Sequence, residues 1–164
     1  MLLADLPGSA QQFLDDFVAQ MQAIGAIIPE MVYVGAGIVP WDAEALVLTL
    51  GTIYQGQPGA PIGSTFNPAD TIELSIEMFI LLTRPTPVPS DGQGQPIWPS
   101  IAEMNDAGLV AFSDASALTR AAINLHDAYL DVDPGQGFVI GNVSPLGPDG
   151  GLQGLRIKID VSLS

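Results

Sequence analysis

The sequence of 164 residues has no cysteine, one histidine and only four basic side chains. Without cysteine the chain has no disulfide, no thiol nucleophile and no thiolate metal ligand. The absence of cysteine does not indicate whether the protein works in an oxidising or a reducing compartment. The single histidine, His126, rules out a two-histidine metal site within one chain. Its position beside an apolar helical stripe, next to Asp127, favours a helix-surface or core-edge imidazole.

Basic charge is scarce, with four Lys and Arg against 18 Asp and Glu, which gives a formal net charge of −14. Ordinary nucleic-acid binding relies on Lys and Arg that neutralise phosphates, so it is not expected here. An acidic surface repels phosphate and so still allows DNA to pass close by without sticking. The plain alternative is that the charge only provides solubility.

Long hydrophobic runs are also missing, because no stretch approaches the roughly 20 apolar residues of a membrane-spanning helix. Met1 to Ala10 lacks the basic start of a signal peptide, so synthesis and retention in a cytoplasm are expected. Even so, 48% of the residues are hydrophobic and only 13% are charged. Burying the excess apolar surface between subunits is the preferred explanation, and no membrane partner is expected.

Hydrophobic spacing predicts one α+β domain over residues 1–164, with two helices on a mostly antiparallel sheet. Ser9 and Gln12 resemble a capping box that opens the first helix, and Gly25 ends it. Strands are predicted at 31–41, 44–54, 71–84, 138–143 and 155–164, the last two as a hairpin. The second helix runs from Ser100 to about Leu130, with a break at Gly108.

The second helix carries a stripe that we expect to lie close against the sheet, because many of its members are small. The stripe comprises Ile101, Met104, Gly108, Ala111, Ala115, Leu118, Ala122, Leu125 and Tyr129. Two segments rich in proline and glycine, about 55–70 and 84–99, are predicted to be long loops. Long loops in a compact domain are uncommon and often functional, so both are interpreted as arms that order against neighbours.

No catalytic, cofactor or metal site is predicted. Asp131, Asp133 and Gly135 faintly resemble a calcium loop, but the acidic ligands that the pattern requires further along are missing. Glu73 and Glu77 lie four apart on one strand, roughly 13 Å from each other, which is too far for a glycosidase pair. They are interpreted as part of a polar face that lines a pore.

Several segments together resemble the tail terminator proteins of long-tailed, siphovirus-type bacteriophages, particularly those that infect actinobacteria. The segments are Pro40-Trp41-Asp42, the strand end Gly51-Thr52-Ile53-Tyr54-Gln55-Gly56-Gln57-Pro58-Gly59, the strand 72–84 with its proline-rich loop, and the glycine-rich turn over 141–154 before a terminal strand. The resemblance covers most of the chain as a pattern of elements, and its motifs are moderately specific.

The resemblance implies a structural virion protein of the tail and neck, assembled in the host cytoplasm, and not an enzyme. It implies a ring, expected to be hexameric, that ends tail polymerisation between the major tail-tube protein and a head–tail connector or stopper. Genomic DNA would pass through an acidic lumen without specific binding, and no cofactor is implied. We expect Asp70, Glu73 and Glu77 to face the lumen. Subunit contacts are expected at Tyr54, Gln57, Pro58, Pro85, Pro87, Val88 and Trp98.

Two alternatives stay open. The chain fits another ring of the same neck, such as a connector or stopper. It also fits a monomeric binding module in which Trp41, Trp98 and Tyr54 provide stacking platforms beside the proline-rich loops. A binding module should run as a monomer, whereas a ring subunit should form a ring or join one.

Overall fold

A computed structural model describes residues 1, 3–35, 44–62, 73–92, 95–133, 137–149 and 152–163. A short 3₁₀ turn, Leu3–Asp5, leads into helix α1, and a second helix, α2, lies in the later part of the chain. The bounds are α1 Leu6–Ala23, β1 Met31–Gly35, β2 Ala45–Gln57, β3 Ala60–Pro61, β4 Leu74–Pro85, β5 Ser90–Gly92, β6 Gln95–Ile97, α2 Ile101–Val132, β7 Phe138–Asp149 and β8 Leu152–Leu163.

The main sheet has six strands in the order β1-β2-β4-β8-β7, with β3 paired to the end of β2. All its pairings are antiparallel except that of β1 with β2. Strands β5 and β6 form a separate two-stranded hairpin. The predicted α+β class, with two helices and a mostly antiparallel sheet, is therefore confirmed.

One face of the sheet, which we call the inner face, packs against both helices. The alternation predicted for the strand at 71–84 is confirmed from Leu74 onward, and the facing strand β8 repeats it. The buried residues that fill this layer are Phe13, Leu14, Phe17 and Met21 from α1, Leu118, Ala121, Ala122 and Leu125 from α2, and Leu46, Leu48, Ile76, Met78, Ile80, Leu82, Ile157 and Ile159 from the strands.

The helix ends differ in part from the prediction. The capping box at Ser9 is wrong, because α1 already begins at Leu6 and Asp5 caps it by accepting a hydrogen bond from the Gly8 amide at 3.2 Å. Pro7 fits the first turn, where an amide hydrogen is not needed. At the other end Gly25 adopts a φ of +73°, as expected for a helix stop.

Helix α2 begins as predicted but does not break. The Ser100 side chain accepts from the Glu103 amide at 3.2 Å, and the Glu103 carboxylate accepts from the Ser100 amide at 2.7 Å. The predicted break at Gly108 is wrong, since one helix runs through it from Ile101 to Val132. A glycine inside a helix costs only about 1 kcal/mol relative to alanine, which the surrounding turns offset.

Both predicted long loops contain strands. Strand β2 continues to Gln57 and turns through Pro58 and Gly59 into β3, with Gly59 at a φ of +76°. The segment 84–99 contains the end of β4 and the β5–β6 hairpin. Strand β7 also runs past the predicted end at residue 143, to Asp149. Pro145 fits there because β7 is an edge strand, where a missing amide hydrogen leaves no ladder bond unmade.

Candidate functional site

The described part of the chain does not gather its histidine and carboxylate side chains into a metal-binding group. The described residues contain no group of three or more His, Asp or Glu that could hold a metal ion. His126 packs the edge of its ring against Phe138, with centroids 5.3 Å apart, and its Nδ1 lies 3.2 Å from Asp127 Oδ1. This is the core-edge position that the sequence predicted. Asp131 and Asp133 are exposed at the end of α2, and Gly135 lies outside the described residues.

A cavity of about 310 Å³ lies between the first turns of α1 and the end of α2. Phe13 and Tyr129 form its apolar wall, and Ser9 and Gln12 border it. The Tyr129 hydroxyl donates a hydrogen bond to Asp16 Oδ2 at 2.9 Å. Burial and this carboxylate together raise the pKa of Tyr129, so the phenol is neutral and is no nucleophile at physiological pH.

The sheet face turned away from the helices, the outer face, carries a polar network on β4, β8 and the end of β2. Lys158 Nζ lies 2.6 Å from Glu77 Oε2 and 3.3 Å from Asp160 Oδ2. The Tyr54 hydroxyl donates to Asp160 Oδ1 at 2.8 Å and accepts from the Gly59 amide at 2.8 Å. The hydrogen bond to Glu77 is the main cause of the raised pKa of Lys158. The network therefore fastens the β2–β3 turn to the centre of the sheet.

Of the three residues predicted to face a lumen, the structure describes Glu73 and Glu77. Asp70 lies outside the described residues. Glu73 is exposed just before β4, where its carbonyl accepts from the Gly56 amide at 2.8 Å. Glu77 is half-buried and paired with Lys158, so its charge is locally neutralised. Alternation alone could not reveal this pairing, because the partner is 81 positions away and lies diagonally from Glu77 on the neighbouring strand β8.

The residues predicted for subunit contacts fall into two groups. Tyr54 is half-buried in the outer-face network and is therefore not a free stacking platform. Trp98 has 72% of its surface exposed and Val88 has 52%. Gln57 and Pro85, the last residues of β2 and β4, are exposed, as is Pro87 beyond β4, and Pro58 in the turn after β2 is half-buried.

Arg84 forms an ionic junction that the sequence analysis missed. The guanidinium donates to both carboxylate oxygens of Asp114, at 2.6 and 3.0 Å, to Glu44 Oε2 at 2.9 Å and to the Ile27 carbonyl at 2.9 Å. These bonds raise the pKa of Arg84, with Asp114 as the first cause. The junction fixes α2 against β4 and β2. The sequence did contain a signal for this junction, namely a basic residue near the end of a strongly apolar strand.

The prediction for the first half of α2 is also wrong. The stripe beginning Ile101 and Met104 was expected to face the sheet, but these residues are 83% and 54% exposed. The same stripe is buried only from Leu118 onward, where the helix lies over the core. Leu109 and Phe112 are also exposed, at 60% and 79%. The helix therefore presents an apolar surface that the described chain leaves in water.

No protein-family model matches the chain, and no curated protein matches it in sequence. Neither helix of the described residues combines the length and the apolar character needed to cross a membrane.

Proposed function

We propose that the chain is a structural subunit that assembles with copies of itself into a ring, expected to be hexameric. Following the resemblance of its sequence to tail terminators, we place this ring at the head-proximal end of a phage tail tube. There it ends tail polymerisation and joins the tail to the connector or stopper proteins. The chain has no catalytic role in this proposal.

The observation that carries the proposal is the amount of apolar surface outside the core. Fifteen large hydrophobic side chains among the described residues are exposed, and five of them lie between Ile101 and Phe112. Monomers rarely expose contiguous apolar patches larger than a few hundred Å² unless a partner covers them. An assembly subunit accounts for this surface, because neighbouring copies would cover it.

The charge distribution supports a lumen through which DNA passes. Arg84 and Lys158 are held in ion pairs, and Arg156 stacks over the Phe79 ring at 4.9 Å from its centroid. These three cations therefore offer little to phosphate. A predominantly acidic wall repels the DNA backbone, so DNA slides and is not retained.

The first test is the mass of the purified protein by light scattering, with negative-stain images of the same fractions. A ring alone supports assembly, and the tail position is tested separately by adding the chain to its cognate tail-tube protein during polymerisation. We expect shorter tubes, each with the chain at one end. A chain that stays monomeric and leaves tube length unchanged contradicts the proposal. A ring that binds only connector proteins indicates another neck position.

A further inference from the structure

We infer that the exposed face of the first half of α2 is the docking surface for a second copy of this chain. The inference rests on the proposed self-assembly and specifies the surface that performs it. The docking face is defined by Ile101, Met104, Leu109 and Phe112, with Ile123 about three turns beyond Phe112.

Helix geometry turns most of these residues away from the core, while Met104 lies in line with the buried Ala122, five turns further along. At 3.6 residues per turn, Ile101, Phe112 and Ile123 lie within about 40° of one direction around the axis. The buried residues of the same helix, Leu118 and Leu125, point more than 90° away from that direction. The docking face is therefore directed mainly away from the core, and Met104 forms its border with the buried stripe.

The docking face has the area of one side of a specific interface. From their exposed fractions, its five side chains present on the order of 600 Å² to solvent, and a standard interface buries about 800 Å² per partner. Trp98, which is 72% exposed, lies three positions before Ile101, the first residue of the helix. A patch of this size is at the upper limit of what solitary monomers show.

The charge pattern identifies the partner as a second copy. Two chains of net charge −14 repel each other and can approach closely only where carboxylates are absent. On α2, Glu103 and Asp106 project from other sides of the helix, and Asp114 is turned to Arg84. No carboxylate between Ile101 and Ile123 projects on the docking face.

Arg120 supplies the complementary charge. It is exposed beside the docking face and makes no ion pair with any other residue that the structure describes. A second copy, which carries 18 acidic side chains, offers many partners for it. A strongly basic partner would instead be drawn to the carboxylate-bearing surfaces, and an anionic membrane would repel the chain.

The test compares Leu109→Gln/Phe112→Gln with the matched control Val132→Gln. Glutamine preserves helix propensity and adds no charge. Val132 is 84% exposed at the last residue of the same helix and lies outside the docking face. Sedimentation velocity over a concentration series should show self-association weakened about tenfold or more in the double variant and unchanged in the control. Circular dichroism should show both variants folded.

The outcomes separate this inference from the proposed function. If the wild type forms rings and the folded double variant forms them equally well, the docking face is wrong and the ring proposal stands. If the wild type assembles only on tail tubes, a photo-crosslinking residue at position 112 identifies the neighbour there. A crosslink to another copy supports the inference, and a crosslink only to the tail-tube protein overturns it. A wild type that is monomeric both alone and beside tail tubes rejects the proposed function itself.

Discussion

At the scale of single residues, Arg84 is the group on which the end of the sheet most depends. Its side chain is 9% exposed and that of Asp114 is 14% exposed, so solvent screens their contact little. Removing one partner of a buried ion pair leaves the other charge uncompensated, which typically costs 3–5 kcal/mol. Because Glu44, the second partner, is 43% exposed, Asp114 bears most of that cost.

We expect Arg84→Met to lower the free energy of unfolding by about 3 kcal/mol, measured by urea denaturation. The double variant Arg84→Met/Asp114→Leu should recover a large part of that loss, because both buried charges are then gone. A single variant that loses less than about 1 kcal/mol would show that the junction is solvated in solution and contributes little.

Tyr129 makes the free energy of unfolding depend on pH in the alkaline range. Burial and Asp16 hold its pKa above the ordinary value of 10.0, so the folded state retains the phenolic proton longer than the unfolded chain does. Its contribution to stability is complete below the unfolded pKa and is lost as pH rises toward the folded one. Above pH 10 the loss from this group approaches about 1.4 kcal/mol per pH unit.

We therefore expect Tyr129→Phe to show a flatter decline of unfolding free energy between pH 10 and 11 than the wild type. At pH 8 the variant should be less stable by about 1 kcal/mol, because the hydrogen bond to Asp16 is lost. Parallel pH profiles of the two proteins would mean that Tyr129 ionises as easily in the folded chain as in the unfolded one.

At the scale of elements, the sequence best predicted the strands that are covered along their whole length. Strands β4 and β8 lie at the centre of the sheet, so their alternation over residues 74–83 and 155–163 was visible in the sequence. Helix α2 shows the limit of the same reasoning. Periodicity identifies residues that share a side of a helix, but it cannot say where the covering sheet ends. Ile101 and Leu118 were therefore assigned to the same buried stripe.

Contacts between individual side chains were also predictable only in part from the sequence. The capping box of Ser100 and Glu103 joins residues three apart and so has a local signal, but the same spacing at Ser9 and Gln12 predicted a box that does not form. The pairs Glu77–Lys158 and Arg84–Asp114 join distant parts of the chain and depend on strand register and helix placement. The docking face, like these distant pairs, could not be predicted from the sequence, because the exposure of a side chain depends on the folded chain.

Gly108 provides a test of whether α2 is continuous. A Cβ at this position would meet no atom within 4 Å, so alanine fits without strain. We expect Gly108→Ala to raise the free energy of unfolding by about 0.5–1 kcal/mol, since alanine loses less backbone entropy in a helix. The measurement should use the monomeric form, so that assembly does not contribute. A decrease in stability would indicate that the helix bends at Gly108.

At the scale of the whole molecule, self-assembly must overcome repulsion between chains of net charge −14. The proposed docking face meets this requirement by excluding carboxylates, while the surrounding surface still repels. The screening length is about 30 Å at 0.01 M salt and about 10 Å at 0.1 M, so added salt removes much of the repulsion between approaching subunits. Apolar contacts at the docking face are not screened in this way.

We therefore expect self-association to strengthen when sodium chloride is raised from about 20 to 500 mM, measured by sedimentation velocity at fixed protein concentration. Arg120→Gln should assemble less well than the wild type at low salt, because it removes the one attractive charge beside the docking face. The two proteins should converge at high salt, where that pair is screened. Association that instead weakens steadily with salt would show that ionic contacts hold the subunits together. In that case the apolar face of α2 would not be the principal interface.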